Sequence, residues 1–371
     1  MQRFGGVSNC FVQLIRNLPS GVDFDIAIRE GDNMHLKDSG LKDTLPPTLV
    51  EENFISTKKF KSRGFLYRRY SKMFPEHTSL GRNRLCSIEA LIQGDFDVFH
   101  PTFFDDYFLP YLNGKPFVLT VHDMIPEKFW GHKLHDMQIS NKPLLCRKAA
   151  HIIAVSENTK RDLVEILHVP ADKISVIYHG APEDVVVKDE KPRVEEKYLL
   201  YVGQRELYKC FERMLATLAS VFERHHELKM VCTGKPFTKR EISQIRLLGL
   251  EGRMIHLHPD DHDMMNLYAH ALCFIYPSLY EGFGIPILEA YRAGCPVLLN
   301  HKSCFPEIAQ DAAIYFHLSE SESDLAEVME QFMNMTDKEL ELLKGKQYER
   351  LKSFSWAASA KKLADIYQSV I

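Results

Sequence analysis

The densest chemistry in the chain lies in one segment, SLYEGFGIPILEAYRAGCPVLLN (278–300), where Glu281 and Glu289 flank a glycine turn at Gly282 and Gly284. Pro286 suits the first turn of a helix, because the N–H it lacks has no intrahelical partner there. Gly294 can end that helix in the left-handed region, and Pro296 prevents its continuation. A short helix with free N–H groups and a partial positive charge at its amino end is a natural seat for a diphosphate. The glycines let the Gly282–Phe283–Gly284–Ile285 backbone approach a ligand closely. Carboxylates accept sugar or ribose hydroxyls but repel phosphate. Two of them beside a phosphate seat therefore point to a ligand carrying both groups, a nucleotide sugar.

A second glycine turn, at Gly203 in YVGQRELYKCFERM (201–214), lies between a strand pattern and a helix pattern. Arg205 and Lys209 sit on either side of it, where cations can meet phosphate oxygens. His122 and Asp123 end an apolar run in VHDMIPE (121–127). A lone histidine there reads as a satisfied structural residue, and Asp123 as a group that orients the loop. No D-x-D pair or carboxylate–histidine cluster is placed to hold Mg²⁺ or Mn²⁺, so no metal ligand is assigned.

The elements that must carry these residues are short apolar runs separated by helical patterns. The runs are DVFHPT (97–102), FVLTVHD (117–123), HIIAVS (151–156), KISVIYHG (173–180), KYLLYVG (197–203), LKMVCTG (228–234), MIHLH (254–258), CFIYPS (273–278) and PVLLN (296–300). Continuous rather than alternating hydrophobicity suits parallel strands covered on both faces. Amphipathic helices are expected after Ser8, Ser156 and Cys210, with Ser156 as an N-cap. The alternation predicts an α/β protein with two doubly wound, Rossmann-like domains at 1–182 and 198–353. The polar stretch at 183–197 reads as their linker, and 354–371 as a final helix capped by Ser355. The first strand that such a domain would open with is not found, since the GGVS turn leads straight into a helix. A truncated start is the expectation.

The bulk composition agrees. The chain has 371 residues, room for two domains, and its 45% hydrophobic and 26% charged fractions are those of a globular protein. The net charge of -4 argues against a dedicated nucleic-acid binder. The eight cysteines stand singly and read as reduced, buried thiols. No apolar run reaches the roughly 18 residues of a membrane span, and MQRFGGVSNC is no signal peptide, so the cytoplasm is the expected compartment. No G-x-G-x-x-G opens either domain, which disfavours a nicotinamide oxidoreductase.

E-G-F-G-I-P-I-L-E-A resembles the E-x7-E signature of retaining glycosyltransferase family 4, whose GT-B fold is two facing Rossmann-like domains. The likeness runs from GGVS (5–8) to the final helix and includes VHDMIPE, IIAVSENTKRDL (152–163) and YVGQRELYK in the family's order. It implies that Glu281 contacts the transferred sugar and Glu289 the ribose hydroxyls. It also implies that Lys209 and Arg205 hold the diphosphate, that His122 lines the cleft, and that Gly5 and Gly6 approach the donor and acceptor. CTGKPF with Gly234 resembles the turn under the nucleotide, whose base would rest near His258 to Asp260. Ser303, Cys304, Pro306 and Glu307 resemble the family's S-S-x-P-E loop, Glu307 reading as a capping acid. Cys210 and Cys304 depart from the usual asparagine and serine.

The resemblance further implies an acceptor site in the first domain and a donor site in the second, with 354–371 packing back on the first. The activity implied is a metal-independent, retaining hexosyl transfer with no resident cofactor, the nucleotide-diphosphate sugar being a substrate. Same-face attack and double displacement both stay open. The setting implied is bacterial surface-polysaccharide or O-antigen synthesis on a glycan or polyprenyl-linked acceptor, with GDP-mannose or another hexose donor. The basic–aromatic run KKFKSRGFLYRRYSKMF (58–74) would suit peripheral contact with an anionic membrane, and equally a solvated helix face. Rival readings are a phosphorylase, a nucleotide-sugar epimerase of the same fold, and a non-catalytic scaffold.

Overall fold

A computed structural model of the chain describes residues 6–31, 33–42, 63–131, 137–182, 191–319 and 321–371. Gly5, Lys58, Lys59, Phe60 and Lys61, and 183–190 of the expected linker, lie outside the described residues.

The first sheet is parallel, in the order β1 (Val118–Val121), β2 (His151–Ala154), β3 (Ile174–Val176). Every β1 residue is buried, as expected for a strand with helices on both faces. Around it lie α1 (Gly6–Arg16), α2 (Met34–Asp38), α3 (Arg63–Met73), α4 (Ser79–Gln93), α5 (Ile125–Phe129), α6 (Met137–Lys148) and α7 (Glu157–Leu167). DVFHPT, expected as a strand, contributes only one parallel bridge, Phe99 to Phe117. Its Pro101 has no N–H for a ladder, and His100 is held through its side chain by Thr120 and Tyr367.

The second sheet is also parallel and has six strands in the order β6-β5-β4-β7-β8-β9. These are β4 (Tyr198–Tyr201), β5 (Lys229–Cys232), β6 (Met254–His256), β7 (Cys273–Tyr276), β8 (Val297–Asn300) and β9 (Ile314–Phe316). Its helices are α8 (Phe211–Arg224), α9 (Lys239–Leu247), α10 (Asp261–His270), α11 (Ile285–Arg292), α12 (Phe305–Ala309), α13 (Leu325–Met333) and α14 (Asp337–Leu351). Alternate β4 residues feed two cores: Tyr198 and Leu200 pack with Phe274, Leu288 and Phe305, while Leu199 and Tyr201 pack with Phe211, Leu218 and Met329. This is the two-faced burial that continuous hydrophobicity called for.

β4 and β7 are hydrogen-bonded neighbours although two strands and their helices separate them in sequence. The strand order reverses between them. In open α/β sheets, ligands bind outside the carboxyl ends of the strands at such a switch point. The loops leaving β4 and β7 carry Gly203–Lys209 and Ser278–Gly284.

The final helix, α15 (Trp356–Val370), starts at a Ser355 cap that accepts from the Ala358 N–H. Its Ala360 and Leu363 share a core with Cys10, Leu14, Val118 and Ile153 of the first sheet. Trp356 lies so close to Gly180 that a Cβ there would fall 2.4 Å from it.

Candidate active site

Lys209 ends a 3₁₀ turn (Leu207–Lys209) after β4, and Glu281 sits in the turn after β7. The Lys209 Nζ donates to Glu281 Oε1 at 2.7 Å, and the Ser278 hydroxyl donates to the same oxygen at 2.8 Å. Both side chains are nearly buried, at 14% and 11% exposure. Two loops that leave adjacent strands at the switch point thus place a cation and a carboxylate in contact.

The Glu281 turn is held from behind. Ser303 accepts from the Glu281 N–H and donates to the Glu281 carbonyl, and the Cys304 thiol reaches the carbonyls of Glu281 and Phe283, each at 3.2 Å. The cysteine that stands in place of the usual serine thus anchors the turn. Gly284, at φ 92°, precedes α11, whose first turn contains Pro286, and Gly294 follows it at φ 72°. Phe283 is buried beside His179, Tyr178 and Phe354. That side chain wedges the turn in place.

Glu289 lies one turn further along α11 and accepts from the Tyr268 hydroxyl at 3.0 Å. Burial pushes its carboxyl up to about 7, opposed by the Tyr268 hydrogen bond. It is not in contact with Lys209 or Glu281 in this arrangement.

Arg205 is placed differently from Lys209. Its Nε donates to Glu241 at 2.6 Å, and its other nitrogens reach the carbonyls of Thr233, Lys235 and Pro236. The guanidinium stacks over Phe237 and Phe211 and is 3% exposed. It thereby fixes the CTGKPF turn after β5. In that turn Gly234, at φ 94°, approaches so near that a Cβ would meet the Gly203 carbonyl oxygen at 2.5 Å. Gly203 itself is at φ 108°. Cys210 adopts a left-handed φ of 50° and makes no side-chain cap, so the usual asparagine cap of α8 has no counterpart. Asp260, near the expected base position, caps α10 through the Asp263 N–H.

The first sheet meets this site edge on. A Cβ at Gly282 would fall 1.7 Å from the His122 carbonyl oxygen, and one at Gly6 would fall 3.4 Å from Ile285 Cδ1. Ser156, the expected N-cap of α7, donates to the Gly282 carbonyl at 2.6 Å while accepting from Thr159 N–H. The Tyr280 hydroxyl accepts from Met124 N–H and donates to Asp162. Glu307 accepts from the Glu157 and Asn158 N–H groups at 2.7 and 3.1 Å, capping a helix of the other sheet. Asp123 accepts from Ile125 N–H and so orients the loop. Burial holds the His122 imidazole down at about 4, aided by the Lys142 charge, so it is neutral at physiological pH.

Several contributors carry no signal in the sequence. Lys142 is fully buried against Glu127 at 2.9 Å, directly under the His122 loop, and Tyr280 and His179 complete the seam. Only the apolar run before His179 hinted that it would end at the same sheet edge as His122.

Phe65, Leu66 and Met73 of α3, and Phe74 just beyond it, are exposed to solvent, with Arg68 and Arg69 exposed among them. No helix among the described residues is long and apolar enough to cross a membrane.

Residues 4–185 match the profile of Glycosyltransferase Family 4, and residues 184–350 match that of Glycosyl transferases group 1. The O-antigen chain mannosyltransferase RfbU of Salmonella typhimurium is 27% identical over 215 residues, 55% of this chain. The match spans 58% of that relative's length. The O-antigen chain mannosyltransferase B of Escherichia coli is 26% identical over 68% of this chain and 69% of its own. Among solved structures, Anabaena HepE in complex with UDP and glucose superposes with a TM-score of 0.71 at 17% identity, covering 98% of this chain and 96% of that one. The fold is thus GT-B, two parallel-sheet α/β halves facing each other.

Proposed function

Since the chain belongs to glycosyltransferase family 4, we propose that it transfers a hexose, with retention, from a nucleotide-diphosphate sugar to a glycan or polyprenyl-linked acceptor in surface-polysaccharide assembly. The names of its relatives favour a mannosyl donor and an O-antigen acceptor. The observation that carries the reading is the Lys209–Glu281 pair at the strand-order switch.

Each partner of that pair has a better one in the loaded enzyme. A donor diphosphate beside α11 draws the Lys209 ammonium off Glu281, and the freed carboxylate takes a sugar hydroxyl. Glu289 receives the ribose hydroxyls, while Arg205 holds the Gly203 and Gly234 turns under the nucleotide. Lys209 and the α11 amino end are in place before the diphosphate leaves and stabilise its developing charge. The acceptor hydroxyl, entering past Gly6 and His122, attacks the anomeric carbon on the face the diphosphate departs from. The new C–O bond forms as the C–O bond to phosphate breaks, and a departing phosphate oxygen takes the acceptor's proton. No enzymic base or metal ion is required in this scheme, and no resident cofactor.

Lys209→Ala is expected to lose transfer by about 10²-fold or more while its circular dichroism and melting curve stay native. Wild-type turnover in that variant overturns the assignment. Thermal-shift screening against UDP-, GDP-, dTDP- and CMP-sugars identifies the base, GDP-mannose being the expected hit. The α3 face supports peripheral binding to the cytoplasmic membrane surface, each cation being worth about 1 kcal/mol near anionic lipid. Flotation with anionic but not neutral liposomes checks it, and absence of flotation removes the membrane contact.

A further inference from the structure

Cys10 on α1, His122 at the end of β1 and His179 just beyond β3 come from three different elements, yet their sulfur and ring-nitrogen atoms all lie within 4.8 Å of one another. The His122 and His179 rings are nearly parallel, 13° apart, with centroids at 6.0 Å. His122 Nε2 is buried and has no hydrogen-bond partner. An orphaned buried imidazole nitrogen is costly to keep, and nothing in the transfer scheme uses the Cys10 thiol.

The neighbouring His100 shows the contrast. Both of its ring nitrogens are taken, by Tyr367 and Thr120, so it is a structural residue and not part of the cluster. Cys10 lies among Leu14, Val118, Ile153 and Ile177, and His179 packs against Phe283 and Trp356. The surroundings are thus apolar, and such a shell limits solvent access and lowers the dielectric around the donors.

We propose that Cys10, His122 and His179 form a binding site for a thiophilic divalent cation, zinc by its donor set of one thiolate and two imidazoles. Zinc takes tetrahedral sulfur and nitrogen ligands at about 2.3 and 2.0–2.1 Å, which places donor atoms roughly 3.3–3.6 Å apart. The three donors reach that spacing by closing up about an ångström. The thiol proton leaves to solvent as the sulfur–metal bond forms, and the fourth position falls to water. The cation ties α1 to the carboxyl ends of β1 and β3 and makes no bond to the transferred sugar. One consequence rests on the proposed function: a loaded cluster would hold the His122 ring away from the path by which the acceptor enters. The site itself does not depend on that reading.

Cobalt(II) titration of the purified chain tests the site directly, because thiolate ligation gives a charge-transfer band and tetrahedral geometry gives intense visible absorption. One equivalent with both signatures, displaced by Zn²⁺, is expected. Cys10→Ser should remove the charge-transfer band, and His179→Asn should weaken binding by at least about tenfold. Cys86→Ser, at the half-exposed cysteine, should change neither. No tetrahedral signature in the folded wild type overturns the proposal, as does a band that survives in Cys10→Ser. Should Cys10→Ser fail to fold, unchanged affinity in His179→Asn is equally decisive.

Discussion

At the level of single residues, Glu289 carries the clearest consequence of its surroundings. With its carboxyl at about 7, it is half protonated near neutrality. Ribose hydroxyls donate to an ionised carboxylate, so donor binding favours the deprotonated form and strengthens as pH rises. The ionised fraction goes from roughly a tenth at pH 6 to nine tenths at pH 8, so donor affinity should improve about tenfold across that window and level off above it. In Glu289→Gln the same titration should be flat, and a slope that persists there would assign the effect elsewhere. The glycine-turn segments that carry Glu281, Glu289 and Lys209 were legible because each is a short motif read within one stretch of chain. The partner of Arg205 was not. Glu241 lies 36 residues away, and local sequence does not say which acid a cation will meet. The same holds for Cys10 and His179, which only the folded first sheet brings to His122.

Among the elements, strands were legible where both faces are covered, since an unbroken apolar run has one meaning between helical patterns. β9, Ile314–Phe316, is an edge strand paired on one side only, and its short apolar run is not among those read as strands. DVFHPT failed for the opposite reason, a strand-like run whose proline and tethered histidine take it off the ladder. The glycine turns were read for their freedom near phosphate, but at Gly282 the requirement is space. Its missing side chain lets the turn rest on the His122 carbonyl, and Gly282→Ala would place carbon 1.7 Å from that backbone oxygen. Neither backbone can yield cheaply, so a loss of about 1–3 kcal/mol in stability is expected, with transfer impaired. Gly345 in α14 is the control, exposed and with nothing within 4 Å of the place a Cβ would take. Gly345→Ala should instead gain about 0.5–1 kcal/mol. Urea denaturation of the two variants measures both signs, and equal shifts would refute the steric argument.

Across the whole molecule, the two sheets are joined by bonds that cross the cleft. Glu307 reads as a capping acid in the sequence, but which helix it caps, and the other cross-cleft partners, do not show there. Ser156 meets Gly282, Tyr280 meets Asp162, and Glu307 meets the first two N–H groups of α7. Glu307 is itself braced by Arg350, which donates to the carbonyls of Glu307 and Ile308. Its carboxylate is therefore held at the positive end of a helix that belongs to the other half, where such a cap is worth about 1 kcal/mol. Removing it leaves two helix donors to water and weakens the closed arrangement without touching Lys209, Glu281 or Glu289. Glu307→Ala should enlarge the ligand-free radius of gyration in small-angle scattering and lower the melting temperature by a few degrees. Glu307→Gln, which keeps one acceptor oxygen, should fall between it and the wild type. Excess donor should restore compactness to the extent that it binds the closed arrangement more tightly than the open one, through mass action. An unchanged scattering curve for Glu307→Ala would mean that the Ser156 and Tyr280 bonds hold the halves together alone.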